Sequence, residues 1–276
     1  MPLRQSAGAA ILEREELTML DLSRKVALIT GASRGIGAST AIRLAQAGAA
    51  MVLSARSADP LRSLVSRIEG AGGRAVAVPC DVTAYADVER AVGAAVKTFG
   101  RLDILVNNAG LIEPIARLAD SEPAAWSHVI DVNVKGVYHG LRAAIPVMVA
   151  QGGGVVVNIS SGAATSALEG WSQYCSSKAA VLMLTRCADK EYRGAGLRVV
   201  GLSPGTVATD MQVAIKASGL NPVSQLDPSA HIPAEWAAEA IAWLCTEAGA
   251  PYAGTDFSLK TEEGRRLVGL VPTVAA

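Results

Sequence analysis

The sequence predicts an α/β fold: one doubly wound parallel β-sheet with helices on both faces. Three observations predict it. From Lys25 onward, short β-branched or aliphatic runs alternate with longer alanine-rich stretches. The apolar runs are continuous rather than alternating, as strands covered on both faces require. Glycines follow several of the alanine-rich stretches where a helix would stop. A chain of 276 residues exceeds the roughly 150 typical of one domain, but single α/β domains reach this length. The unbroken alternation favours one domain, residues 23–276, preceded by a tail or arm at residues 1–22.

The elements follow in order. A first strand at Val26–Thr30 runs through a glycine-rich turn into a helix at Ile36–Gln46, stopped by Gly48. Strand Ala50–Ser54 precedes helix Leu61–Ala71, and strand Ala75–Val78 precedes helix Tyr85–Phe99, stopped by Gly100. Strand Ile104–Val106 is followed by helix Asn133–Ala150, and strand Val155–Ile159 by helix Trp171–Tyr192, with Gly194 as its stop. Strand Leu197–Leu202 and helix Ala234–Glu247 close the series. Between those last two, residues 206–232 carry Gly219, Pro222 and Pro228 and read as a substrate-binding loop, since so long a connection in a compact enzyme usually covers a site. Right-handed βαβ units put the ligand site beyond the carboxyl ends of the strands. Functional motifs are therefore expected just after strands.

Composition excludes several classes of function. Half the residues are hydrophobic and 18% are charged, with 25 basic and 25 acidic residues, so a large core is possible and no basic surface for nucleic acid or anionic membrane is expected. The uncharged run Ala143–Leu168 contains Pro146, Gln151, three successive glycines, Asn158, Ser160 and Ser161, which a membrane span would not carry. The apolar stretch Ala7–Leu12 meets Glu13-Arg14-Glu15-Glu16 too soon for a signal-peptide core. Cys80, Cys175, Cys187 and Cys245 lack metal-ligand or CxxC spacing, and His128, His139 and His231 are scattered. A cytoplasmic protein with reduced thiols and no metal is expected.

The turn Thr30-Gly31-Ala32-Ser33-Arg34-Gly35-Ile36-Gly37 opens directly into the first helix. Its glycines permit a tight backbone and close approach of a pyrophosphate, whose charge would meet the free N–H groups of the helix. That makes the domain Rossmann-like, although the spacing is Gly-x-x-x-Gly-x-Gly. After the second strand come Ala55 and Arg56. An acidic residue there would grip the ribose hydroxyls of NAD, whereas a guanidinium pairs with the extra phosphate of NADP. Arg56, together with Arg34 in the turn, therefore favours NADPH over NAD.

Tyr174 and Lys178 lie four apart, so on a helix they share a face. A neighbouring ammonium favours the phenolate and would bring the tyrosine toward working pH.

With these motifs in place, the chain resembles the short-chain dehydrogenase/reductase family, whose pattern is TGxxxGIG, from about Lys25 to Gly254. Further matches are Cys80-Asp81-Val82, Asn107-Asn108-Ala109-Gly110, Asn133, Ser161, Tyr174-Cys175-Ser176-Ser177-Lys178 and Pro204-Gly205, in the family's order and spacing. The resemblance implies a Ser-Tyr-Lys site: Ser161 polarises a carbonyl, Tyr174 is the general acid, and Lys178 tunes Tyr174 and holds the nicotinamide ribose. Asn133 would order a water leading from Lys178 to solvent. The same resemblance places Asp81 and Val82 at the adenine, Asn107, Ala109 and Gly110 beside the cofactor, Ile36 near the nicotinamide end, and Val207 and Thr209 at the carboxamide or phosphates. Asn108 is expected to brace strands. Ser203 departs from the asparagine frequent before Pro-Gly, and a charged segment, Lys260–Arg266, stands where Asp-Gly-Gly often closes the chain.

The resulting expectation is an NADPH-dependent oxidoreductase that reduces a ketone or aldehyde. The alternatives are an NAD-dependent alcohol dehydrogenase working in the oxidative direction and a dinucleotide-binding regulatory protein without turnover. Leu168, Trp171 and Met211, with Leu111, Ile112, Ala163 and Ile215, are expected to line a pocket for an apolar, uncharged small molecule. Family members commonly pair the helices here expected at Asn133–Ala150 and Trp171–Tyr192, which implies a homodimer or homotetramer.

Overall fold

The computed structural model describes residues 20–270. Its seven parallel strands are β1 (Val26–Thr30), β2 (Ala50–Ala55), β3 (Arg74–Pro79), β4 (Ile104–Asn107), β5 (Gly154–Ile159), β6 (Leu197–Ser203) and β7 (Asp256–Ser258), in the spatial order β3-β2-β1-β4-β5-β6-β7. The order reverses between β1 and β4, which pair with Leu28 beside Leu105. A crevice opens at the carboxyl ends of strands where such a reversal occurs.

The helices are α1 (Gly35–Gln46), α2 (Ala58–Gly70), α3 (Tyr85–Phe99), α4 (Pro123–Ile130), α5 (Gly136–Ala150), α6 (Ser172–Tyr192), α7 (Asp210–Ser218), α8 (Ala234–Leu244) and α9 (Glu262–Leu267). Successive strand residues feed opposite faces of the sheet. Ile29, Leu53, Val106 and Val157 pack with Leu44 of α1, Leu61 and Ile68 of α2 and Ile241 of α8. Leu28, Val52, Leu105 and Val156 pack with Val88 and Val92 of α3, Leu141 of α5 and Val181 of α6. Each such fully buried side chain contributes about 1.5–3 kcal/mol, so two apolar faces rather than one hold the sheet.

Several boundaries correct the sequence reading. α6 is stopped by Gly196, in the left-handed region at φ 84°, and not by Gly194, because a 3-10 turn Arg193–Ala195 continues the coil past Tyr192. The span before Asn133 contains α4, where Pro123 takes the first turn and the Glu122 carboxylate accepts the N–H groups of Ala124 and Ala125. α4 then passes through a π turn, Asp131–Lys135, into α5, so Asn133 lies at a break in the regular ladder rather than at a helix start. The region expected as an irregular loop contains α7, ended by Gly219 at φ 62°. β7 and α9 extend the domain beyond the last expected helix.

Most of the expected N-terminal arm lies outside the described residues, but its last part is not free. Leu22 is 4% exposed, joins the core of the α1 face and donates its N–H to the Ala47 carbonyl at 2.7 Å. The body therefore begins before residue 23. Leu22→Ala is expected to lower the unfolding free energy by about 2–4 kcal/mol in urea titration. An unchanged midpoint would return Leu22 to the arm.

Candidate active site

A cavity of about 1320 Å³ opens along the carboxyl ends of the strands. Its phosphate-sized end is built by sterics. Gly31 and Gly35 adopt φ 65° and 53°, which L side chains rarely reach. A Cβ on Gly37 would sit 2.4 Å from the Gly31 carbonyl, so Gly37 allows the turn to close without itself lining the cavity. Asn108 ties that turn to β4 by donating to the Thr30 and Gly31 carbonyls at 2.9 and 3.0 Å, the strand-bracing role expected of it. The first turn of α1 carries no acidic residue and no side-chain cap. Its N–H groups are thus available to an anion, and the residues present fit a dinucleotide pyrophosphate.

Gly31, Ser33, Arg34, Gly35, Ile36, Ala55, Arg56, Asp81, Val82, Ala109, Gly110, Pro204, Gly205, Val207 and Thr209 all line the cavity. Asn107 does not: its side chain is buried at 3% exposure, donates to Asn158 Oδ1 at 2.8 Å and fills the space left by Gly140. β4 ends at Asn107, whose side chain is packed inside, whereas Asn108, just past the strand, lines the cavity. Arg34 is committed to Asp210 at 2.7 Å in an exposed pair. Arg56 has no hydrogen-bond or ion-pair partner among the described residues.

Deeper in, Ser161, Tyr174 and Lys178 line the same cavity. Ser161 follows β5, while Tyr174 and Lys178 stand one turn apart on α6 at 8% and 5% exposure. Lys178 Nζ donates to the Ile159 carbonyl at 2.6 Å and lies 5.6 Å from the centre of the Tyr174 ring. Burial lowers the Lys178 ammonium to about 8, opposed by the charge of Asp256. Burial also pushes the Tyr174 hydroxyl up to about 12, although a hydrogen bond with Ser161 pulls it back. Burial thus works against the lowering expected from a neighbouring ammonium.

Asn133 stands behind this group and outside the cavity lining. Its amide accepts from Leu111 N–H and donates to the Leu111 carbonyl, both at 2.8 Å, and donates to Ser177 Oγ at 3.0 Å. Its oxygen and Lys178 Nζ both flank Gly110, at 3.4 and 3.9 Å from where a Cβ would lie.

The far end is apolar. Ile112, Ala163, Trp171, Tyr174 and Ile215 form a small cluster against which Leu168 and Met211 pack, and Leu111 lines the cavity nearby. The sequence reading missed Asp256, Lys260 and Arg265, which also line the cavity, because the C-terminal segment was read as lying outside the pattern. The parallel pairing of β7 with β6, Ser203 beside Ser258, delivers that segment to the cavity. The cavity expected to take an uncharged molecule is therefore also lined by charged residues.

Comparison with known proteins follows the same lines. Residues 25–219 match the family model for short chain dehydrogenase. The chain is 31% identical over 246 residues to cyclohexanol dehydrogenase of Acinetobacter sp., covering 88% of this chain and 96% of the relative. It is 35% identical over 236 residues to a 3-oxoacyl-(acyl-carrier-protein) reductase of Synechocystis sp., covering 85% and 94%. Among solved structures, 7α-hydroxysteroid dehydrogenase complexed with NADH and 7-oxo glycochenodeoxycholic acid matches with TM-score 0.78 at 33% identity, over 87% of this chain and 94% of that one.

The depressed Lys178 value sets a pH expectation. The ordinary value is 10.5; with the folded value at about 8, the cation is present below that pH and lost as pH rises through it. Any turnover that needs the ammonium should decline with an apparent pKa near 8, read from kcat/KM against pH. A profile flat to pH 10 would remove the cation from the reaction.

Proposed function

The chain belongs to the short chain dehydrogenase family of oxidoreductases, and from that premise we propose that it reduces a ketone or aldehyde on an apolar small molecule, with NADPH as the preferred cofactor. The observation that carries the mechanism is the placing of Ser161, Tyr174 and Lys178 together along the cavity, with Tyr174 buried and its hydroxyl pushed up to about 12 by that burial. A group kept neutral by its surroundings is a proton donor. Ser161 and Tyr174 orient the carbonyl oxygen, Tyr174 passes its proton to that oxygen as alkoxide character develops, and Lys178 stabilises the phenolate left behind. Bound NADPH supplies the hydride to the carbonyl carbon. Lys178 would also hold the nicotinamide ribose, and Asn133 fixes Leu111 and Ser177 so that Lys178, once it has passed a proton to the phenolate, can regain one through water beside Gly110. The same residues run backward in an alcohol oxidation.

The cofactor reading rests on Arg56, exposed and unpaired among the described residues, beside Ala55 where an acid would repel the phosphate. Arg34 is the weaker contributor, since Asp210 already holds it. Catalysis by a homodimer or homotetramer built on α5 and α6 is supported by Tyr138 and Met183, which leave 50% and 54% of their surfaces exposed on those helices. A cytoplasmic location accords with four free cysteines. No helix among the described residues is long and apolar enough to cross a membrane.

Two measurements test this reading. Tyr174→Phe removes the transferable proton, so carbonyl reduction should fall by about 10²–10⁴-fold while NADPH affinity by calorimetry stays within about twofold; near-normal turnover would sink the mechanism. Arg56 should give NADPH an advantage over NADH in kcat/KM of about tenfold to a hundredfold, and Ala55→Asp combined with Arg56→Ala should reverse it. Equal use of both cofactors by the unaltered enzyme would refute the assignment.

A further inference from the structure

The C-terminal segment brings a cation to the cavity that the reduction itself does not use. Leu259 donates its N–H to the Ser203 carbonyl at 3.0 Å, so the chain leaving β7 runs beside Pro204-Gly205. Lys260 then lies across two glycines. A Cβ on Gly205 would meet its Cγ at 3.1 Å, and a Cβ on Gly162 would meet its Nζ at 3.3 Å. The ammonium of this exposed side chain thus reaches the residue next to Ser161, and the absence of side chains at 162 and 205 leaves it room.

The turn that presents Lys260 is built rather than loose. Arg265 donates from Nε to the Leu259 carbonyl at 2.8 Å and from Nη2 to the Lys260 carbonyl at 3.2 Å. Thr261 caps α9 by accepting from Gly264 N–H at 3.0 Å. Arg265 itself also lines the cavity.

The acids that share the cavity do not neutralise this cation. Asp210 is paired with Arg34, Asp81 accepts from the Thr83 N–H and hydroxyl, and Asp256 accepts from Ser160 Oγ at 3.0 Å. No acidic group lies within 4.0 Å of Lys260 Nζ among the described residues. The glycine turn read to hold the pyrophosphate meets Thr209 at Gly35, whereas Lys260 meets Gly162 and Gly205.

We propose that Lys260 recognises an anionic group, a carboxylate or a phosphate, on the substrate at a distance from the reacting carbonyl. The substrate class then becomes an apolar oxo compound with an acidic end, in place of the uncharged one expected from the sequence. This rests on the carbonyl-reductase reading above.

The test uses straight-chain keto acids of short, medium and long chain, their methyl esters, and keto phosphates of the same lengths. Binding to the full-length NADP-loaded enzyme is measured by calorimetry, and turnover by NADPH oxidation. An acid should bind about tenfold more tightly than its ester at the matching length, and the acid-to-ester ratio of kcat/KM should follow, through KM. Lys260→Ala should bring that ratio near one, Lys260→Arg should keep it and Lys260→Glu should reverse it. A preference for the phosphate series over the carboxylates names phosphate as the group read. Absent or equal binding of acids and esters at every length overturns the proposal, as does a Lys260→Ala enzyme that loses NADPH affinity with the ratio unchanged. Binding decides the role of Lys260 by itself, whereas tight binding of acids with no NADPH oxidation counts against the reductase reading alone.

Discussion

Lys178 carries an ammonium group into a position 5% exposed, where water is gone and the charged form is disfavoured. What keeps it there is a short list of oxygens: the Ile159 carbonyl at 2.6 Å and, at longer range, the carboxylate of Asp256. Around this constraint the neighbouring elements are arranged. β5 must end at Ile159 to present its carbonyl, α6 must pass close enough to bring Tyr174 and Lys178 from one helical face, and β7 must add a carboxylate to the sheet edge. Asp256 in turn is raised to about 6 by burial, opposed by its bond from Ser160 and by the charges of Lys178 and Arg186. A buried ammonium and a half-buried counter-charge are thus built into the fold.

The second constraint is steric and lies at the topological reversal between β1 and β4. Thr30 links the two strands, since its hydroxyl accepts from the N–H groups of Asn108 and Ala109 at 3.1 and 3.2 Å. The glycine turn sits on that link and opens the N-terminus of α1 toward the cavity. Backbone geometry therefore shapes the cavity at the glycine turn, while Tyr174 and Lys178 on α6 and Ser161 after β5 line it deeper in.

Much of this was legible in sequence because it depends on local patterns. The six strands up to β6 announced themselves as continuous apolar runs, and the glycine turn and the Tyr174–Lys178 spacing follow from helix and turn geometry. What was not legible depends on long-range contact. Which of Asn107 and Asn108 reaches the cavity is decided by where β4 ends, and how far the Tyr174 hydroxyl is raised by how completely the fold removes water from it. Lys260 reaches the cavity only because three residues of β7 pair with β6, a strand too short to stand out in sequence. Leu22 looked like part of an arm because one apolar residue makes no pattern, yet it seals the edge of the core.

Among relatives of comparable similarity are a cyclohexanol dehydrogenase and an acyl-carrier-protein-linked reductase, so the family alone does not choose direction. The proton-donor role proposed for Tyr174 turns on the protonation of its phenol. The most direct test is a titration of tyrosinate absorbance in the unaltered enzyme, with Tyr174→Phe as the reference that isolates the residue. The account predicts that Tyr174 stays protonated beyond pH 10, near its value of about 12; ionisation of this tyrosine below pH 9 would contradict it.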